Sequence, residues 1–254
     1  MKKKAANLSR LRASFLWLAI SLFGCAGEYK PASPVQWELY HTAIERTENL
    51  LIMLPGINNS LSRFEEEDFF NNIKNYAPGF DVMTVDADIA YYMQGSLISE
   101  LHQHVFPAAK QQGYRNIVLG GISLGGYGSI WFNHEHAQEI KGLLLIAPYL
   151  GEPEIISEIN TYSSVSHWRK HHSLAPDDFS SRVWYWIDDD IDLKRNNTLL
   201  AIGEKDKMLP AARILAKYLP TEQIVIGSGG HNWYGWRKLW HGLLADKSID
   251  KLFN

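Results

Sequence analysis

Cysteine is almost absent from this 254-residue chain, Cys25 being the single one. That excludes an intramolecular disulfide framework and any metal centre built on several thiolates. An excess of one charge is also missing: Lys and Arg number 25 against 28 Asp and Glu, for a formal net charge of -3. A chain so balanced has no electrostatic footprint for nucleic acid. No apolar run reaches the ~20 residues that span a bilayer as a helix, and there is neither an internal repeat nor a low-complexity tract. What is present is an ordinary globular balance, 46% hydrophobic and 21% charged. A chain of this length can bury a large core as one α/β domain.

The first two dozen residues stand apart. Lys2, Lys3, Lys4, Arg10 and Arg12 precede the apolar run Ala13–Phe23 with no acid among them. That run would rise about 16 Å as a helix, roughly half of the bilayer hydrocarbon, and fits the apolar region of a secretory signal rather than a membrane span. It closes on Leu22-Phe23-Gly24-Cys25. The segment resembles a bacterial lipoprotein signal, with Leu three residues before an invariant Cys and a small residue just before it. The resemblance implies removal of residues 1–24, lipid on the Cys25 sulfur, and attachment to the bacterial cell envelope. Ala26, rather than Asp, follows Cys25, which by the same resemblance points to the periplasmic side of the outer membrane. An ordinary cleaved signal with an incidental cysteine is the alternative. Residues 25–48 are expected to be a lipidated tether, with Gly27–Pro34 (GEYKPASP) as its most linker-like part.

From residue 49 to 254 strand-like and helical stretches alternate. Asn49–Leu54, Phe80–Val85, Asn116–Leu119, Gly142–Ile146, Thr198–Ile202 and Gln223–Ile226 are apolar on both faces, as buried strands of a parallel sheet are. Gly95–Gln112 places Leu97, Ile98, Leu101, Val105 and Ala108 on one helical face. Leu124–Ile140 and Pro210–Leu219 read as helices, and Trp233, Trp236, Trp240 and Leu244 recur at helical spacing as a core stripe. The alternation predicts βαβ units and a mostly parallel, doubly wound α/β sheet. Tyr149–Asn197 breaks the rhythm and carries Tyr162, Trp168, Trp184, Tyr185 and Trp186. An insertion of that length is expected to be a lid over the ligand-binding edge.

Gly121-Ile122-Ser123-Leu124-Gly125 follows one apolar strand and opens a helix. A strand-to-helix turn this sharp strains the central residue and leaves room only for small residues two before and two after it. It would lift the Ser123 hydroxyl clear of the sheet at a helix N-terminus, which favours developing negative charge. A serine hydroxyl needs a base, and the base needs an orienting acid. Gly203-Glu204-Lys205-Asp206 follows a later strand, and Gly227-Ser228-Gly229-Gly230-His231 the last one. Leu54-Pro55-Gly56-Ile57-Asn58 closes the first and can turn a backbone N–H towards the serine.

With LPGIN, GISLGG, GEKD and GGHNW in place, the chain from about Leu50 to Leu244 resembles an α/β-hydrolase fold serine hydrolase. The resemblance implies Ser123 as nucleophile, His231 as general base and then acid, and Asp206 as the orienting carboxylate. The Ile57 and Leu124 N–H groups would form the oxyanion hole. It also implies a small-molecule ester, lipid or thioester substrate and no cofactor; the aromatic insertion points to an apolar acyl or aryl ester. A lipid-anchored binding protein that keeps the hydrolase shape without catalysis is the alternative.

Other groups compete for roles. Glu152 follows the fourth apolar strand and is a second candidate for the orienting acid. Asp188, Asp189, Asp190 and Asp192 are expected to be a solvated surface run. Asp86 and Asp88 read as caps or turn residues. His102 with His104, His134 with His136, and His167 with His171 and His172 lack an H-E-x-x-H pattern, so no metal site is expected. If the leader reading holds, Cys25→Ser moves the protein from the membrane fraction to the soluble fraction on fractionation; retention of that variant in the membrane would contradict lipidation.

Overall fold

Among the described residues, seven strands share one sheet: β1 (Trp37–Tyr40), β2 (Asn49–Leu54), β3 (Asp81–Val85), β4 (Asn116–Ile122), β5 (Gly142–Ile146), β6 (Asn197–Gly203) and β7 (Ile224–Gly227). Their order is β1-β3-β2-β4-β5-β6-β7, with every pairing parallel except β1 against β3. The computed structural model describes residues 31–57, 61–70, 73–189 and 197–254. The leader with Cys25, Asn58, Asp190 and Asp192 lie outside the described residues.

Every residue of β3 and β5 is buried, which explains their lack of polar alternation: helices cover both faces of the sheet. β7 departs from that expectation. It is the edge strand, and Ile226 is 54% exposed, because only one neighbour and one covered face are available to it.

Strand order places the functional edge. After β2 the chain moves to β3 on one side, whereas after β4 it moves to β5 on the other. The carboxyl ends of β2 and β4, where Leu54 pairs with Gly121, therefore flank the switch point at which crevices form in doubly wound sheets.

Two boundaries differ from the sequence expectation. Residues 31–48 are not a tether, because Pro31–Asn254 forms one compact unit. β1 pairs antiparallel with β3, the Val35 N–H donates to the Glu100 carboxylate at 2.9 Å, and Tyr91 donates to the Ala32 carbonyl at 2.6 Å. The helical stretch expected at Gly95–Gln112 comprises α3 (Leu97–Glu100), a π-helical turn (Leu101–Val105) and α4 (Phe106–Gln111), after the short α1 (Ser62–Glu66) and α2 (Ile89–Met93). The wider turn inserts a residue into the helical repeat, so Phe106 and Ala109 are buried and Ala108 is only half-buried.

α5 (Leu124–His136) follows β4. The insertion after β5 folds into α6 (Pro153–Ile159), α7 (Val165–Arg169) and α8 (Phe179–Asp189). It docks on α5 through Tyr127, whose ring stacks on Phe179 at 4.0 Å, and through Trp131, stacked on Trp186 at 5.6 Å. Asp188 departs from the expected solvated run, whereas the Asp189 side chain is exposed at 56%. The Arg169 guanidinium holds them at 2.9 and 2.6 Å, and the Asp188 side chain is only 10% exposed. An arginine fork can serve two neighbouring carboxylates at once, so the pair clasps α7 to α8. α9 (Leu209–Leu215) and α10 (Trp233–Ala245) complete the cover, with Trp240 of α10 fully buried against Phe69 at 5.0 Å. No helix among the described residues is long and apolar enough to cross a membrane.

The N-terminal segment is pinned by one buried carboxylate. Asp81 accepts from the Thr42 N–H at 2.9 Å, the Ala43 N–H at 3.0 Å and the Tyr114 hydroxyl at 2.6 Å, with His41 Nδ1 at 3.2 Å. Burial pushes the Asp81 carboxyl up, but these hydrogen bonds and the His41 charge outweigh it and hold it below its ordinary 3.8. Its stabilising contribution is therefore complete above pH 3.8 and is lost as pH falls through the lowered folded-state value. Asp81→Asn should cost about 2 kcal/mol at pH 7 and flatten the acid limb of stability, read by denaturant unfolding at pH 7, 4 and 3. Equal acid sensitivity in variant and parent would contradict this role.

Candidate active site

Ser123 stands between β4 and α5 with φ 52° and ψ -114°. A non-glycine residue in the left-handed region persists only where its surroundings over-determine it, and here three backbone hydrogen bonds do so. The Ser123 N–H donates to Ile146 O at 3.0 Å, while its carbonyl accepts from Tyr149 N–H at 2.8 Å and Gly126 N–H at 3.0 Å. The turn also closes too tightly for side chains. A Cβ on Gly121 would lie 2.1 Å from the Gly125 carbonyl carbon, and one on Gly125 would lie 2.2 Å from the Leu54 oxygen. The start of α5 is thus pressed against the end of β2, which sets Leu124 beside the Pro55-Gly56-Ile57 loop.

The β6 and β7 loops supply the other two groups. Backbone bonds from Glu204 N–H to Gly227 O at 2.8 Å and from Lys205 N–H to Gly229 O at 2.9 Å tie one loop to the other. Asp206 is buried, 4% exposed, and accepts from the Met208 N–H at 2.8 Å. His231 lies one residue before Asn232, whose side chain caps α10 by accepting from Gly235 N–H at 3.0 Å. The imidazole rests edge-on against Trp236 with ring centroids 5.0 Å apart.

These loops meet. His231 Nδ1 lies 2.8 and 3.1 Å from the two Asp206 oxygens, and His231 Nε2 lies 3.0 Å from Ser123 Oγ. A carboxylate can only accept, so Nδ1 carries the proton and Nε2 presents a lone pair to the serine O–H. That is the geometry of general-base activation of an alcohol, with the imidazolium formed next to a fixed negative charge. Ser123, His231, Ile57 and Leu124 line one cleft of about 530 Å³. Its size is within the usual range for a small-molecule site.

Glu152, the rival acid, is elsewhere: it accepts from the Tyr149 hydroxyl at 2.8 Å on the wall of the cleft. Asp88 caps α2, accepting from the Ala90 N–H at 2.7 Å. Trp236 belongs to the core stripe yet also faces the cleft. Sequence reasoning missed the walls: Ile89 and Met93 on one side, Tyr149, Phe179 and Ser180 from the insertion, and Lys207 and Met208 after Asp206. Several directly follow the carboxyl end of a strand, the one signal that marks them.

His102 and His136, from different sequence groups, meet across the chain with their rings stacked at 4.1 Å. Among the described residues, His102, His136 and Glu139 have donor atoms within 4.8 Å of one another and are close enough to share a metal ion. The cluster is also satisfied as a charge network. His102 Nδ1 lies 2.6 Å and Lys110 Nζ 2.9 Å from the two Glu139 oxygens, and cations hold that carboxyl low against the opposing push of burial.

A sequence model of the Uncharacterised protein family (UPF0227) matches residues 50–244. The chain belongs to the UPF0227 family. No curated protein matches this UPF0227 chain in sequence. Among solved structures it is similar to a ferulic acid esterase, at 13% identity and TM-score 0.60, covering 83% of this chain and 87% of that one. It is also similar to Est1E from Butyrivibrio proteoclasticus, at 15% identity and TM-score 0.58, covering 87% and 95%. The monoacylglycerol lipase of Paleococcus ferrophilus matches at 13% identity and TM-score 0.56, covering 85% and 98%. At such identities the likeness establishes the α/β-hydrolase fold.

Gly125 beside Ser123, compared with Gly242 in α10, gives a direct check on the packing. Gly125→Ala should lose about 3 kcal/mol or more and roughly 10 °C in Tm, whereas Gly242→Ala, with nothing within 4 Å of its Cβ, should hold or gain stability. Equal melting temperatures for the two variants would contradict the close approach.

Proposed function

We propose that this protein is a serine hydrolase cleaving an ester-type substrate, a carboxylic ester, lipid or thioester, through an acyl-enzyme at Ser123. The observation that carries the reading is the continuous hydrogen-bonded path from Ser123 Oγ through His231 to the buried Asp206. Its setting at the switch point of an α/β-hydrolase sheet, and the esterases and lipase among the similar structures, support the same reading.

In this mechanism His231 Nε2 takes the Ser123 proton as Oγ attacks the carbonyl carbon, and Asp206 holds the imidazolium in place. The Ile57 and Leu124 N–H groups take the developing oxyanion, Leu124 at the positive end of the α5 dipole. Collapse expels the alcohol or thiol, which leaves with the proton from His231. Water then repeats the sequence on the acyl-enzyme and frees the acid. No cofactor enters any step. We propose further that the chain is lipid-anchored through Cys25 at the periplasmic side of the outer membrane; the support is the leader sequence alone.

Two substitutions test the chemistry. Ser123→Ala should lower kcat on a short p-nitrophenyl ester by roughly 10⁶-fold and abolish labelling by a fluorophosphonate, with the fold retained by circular dichroism. Asp206→Asn should cost about 10⁴-fold by presenting the wrong tautomer of His231. Undiminished turnover in Ser123→Ala would overturn the mechanism, and a parent protein that neither hydrolyses nor labels would favour the non-catalytic binding reading.

A further inference from the structure

The cleft over Ser123 does not stop at the insertion. Tyr149, Glu152, Lys207 and Met208 line both this cleft and a second cavity of about 430 Å³, nearly the size of the first. The second cavity runs between α6 and α9. Pro153, Ile156 and Ser157 form one side of it, and Pro210 and Ala211 the other. Its deep wall is apolar, since Ile156 and Ala211 are themselves 6% and 3% exposed. The wall is also built close: a Cβ on Gly151, just before α6, would come within 2.4 Å of the Ser180 oxygen on α8. At the neck between the cavities the Tyr149 hydroxyl is already committed to Glu152. A methylene chain lying beside Met208 would ask no hydrogen bond of that pair.

We propose that the second cavity is a substrate subsite for the remote apolar part of an elongated ester. The preferred substrate class is then long-chain or arylalkyl esters rather than short ones. The inference rests on Ser123 being the nucleophile. A short ester centred on Ser123 fills only the first cavity and leaves the second to water. A longer one crosses the neck beside Met208 and buries its tail between Ile156 and Ala211. Apolar burial is worth roughly fourfold per methylene, and binding energy from a remote group appears in kcat/KM.

The test uses the full-length protein with two series: p-nitrophenyl esters from acetate to decanoate, and acetates of alcohols from methyl to decyl. In at least one series kcat/KM should rise by about two orders of magnitude over the first few added methylenes that pass the neck, and the series that rises identifies the acyl or the alcohol side as the tail. Ser157→Trp, at an exposed position on the cavity wall, and Ala211→Phe, in its depth, should each cut the long-to-short ratio of kcat/KM at least tenfold. A flat length dependence in both series, or an unchanged ratio in the folded Ser157→Trp variant, would overturn the subsite. Loss of all ester turnover and of fluorophosphonate labelling in the parent would instead remove the hydrolase reading beneath it.

Discussion

The arrangement depends on one close approach: the first turn of α5 lies against the end of β2, with Gly125 directly under the Leu54 carbonyl. The contact has no room for a side chain, so it fixes the angle at which β4 gives way to helix. Ser123 then has no choice but the left-handed backbone in which it is held from both sides, by Ile146 of β5 and by the Tyr149 N–H beyond it. The β2 loop, the β4 turn and the β5 loop thus form one rigid block. The β6 and β7 loops form a second, laced by the backbone bonds of Glu204 and Lys205. His231 meets Ser123 across the two at 3.0 Å, in addition to the backbone bond from the Ala147 N–H to Ala201 O that joins β5 to β6.

Such a division suits a hydrolase. The block that carries Ser123 also carries the N-terminus of α5 and the Ile57 loop, the groups to which the proposed mechanism gives the developing oxyanion. The block that carries the base keeps its acid buried, with Asp206 at 4% exposure, where the carboxylate orients the ring and water does not compete. The insertion touches Ser123 through the Tyr149 N–H at its start, and its later residues Phe179 and Ser180 wall the cleft. Phe179 is stacked on Tyr127 of α5, and the Arg169 clasp on Asp188 and Asp189 keeps α7 and α8 together behind it.

Much of the site was legible in the sequence because it is written in local geometry. Gly121 is small for a steric reason that acts within five residues, its closeness to Gly125. The G-x-S-x-G spacing marks Gly125 as well, although its own close neighbour is Leu54 of β2. Asp206 and His231 follow strands whose apolar runs are unmistakable. The features that escaped are products of tertiary context. β1 is a four-residue strand whose partner among the described residues, β3, lies about forty residues onward, so Trp37–Tyr40 is too short to stand out by itself. The π turn at Leu101–Val105 shifts the buried face from Ala108 to Phe106 and Ala109, a change no fixed helical period anticipates. The acidic run around Asp188 resembles solvated surface until Arg169 arrives from another helix. The walls of the cleft come from segments as far apart as Ile89 and Trp236, and only the folded chain brings them together.

The central claim is that the Ser123 oxygen becomes acylated, and the most direct measurement is a pre-steady-state burst. Rapid mixing with a p-nitrophenyl ester in excess should release about one equivalent of p-nitrophenolate per chain before steady turnover, wherever deacylation is the slower half. Acid quenching followed by peptide mass spectrometry should place the acyl mass on the peptide containing Ser123, and His231→Ala should remove both burst and adduct. An acyl group found on another residue, or steady hydrolysis whose quenched protein carries no adduct on that peptide, would contradict the account.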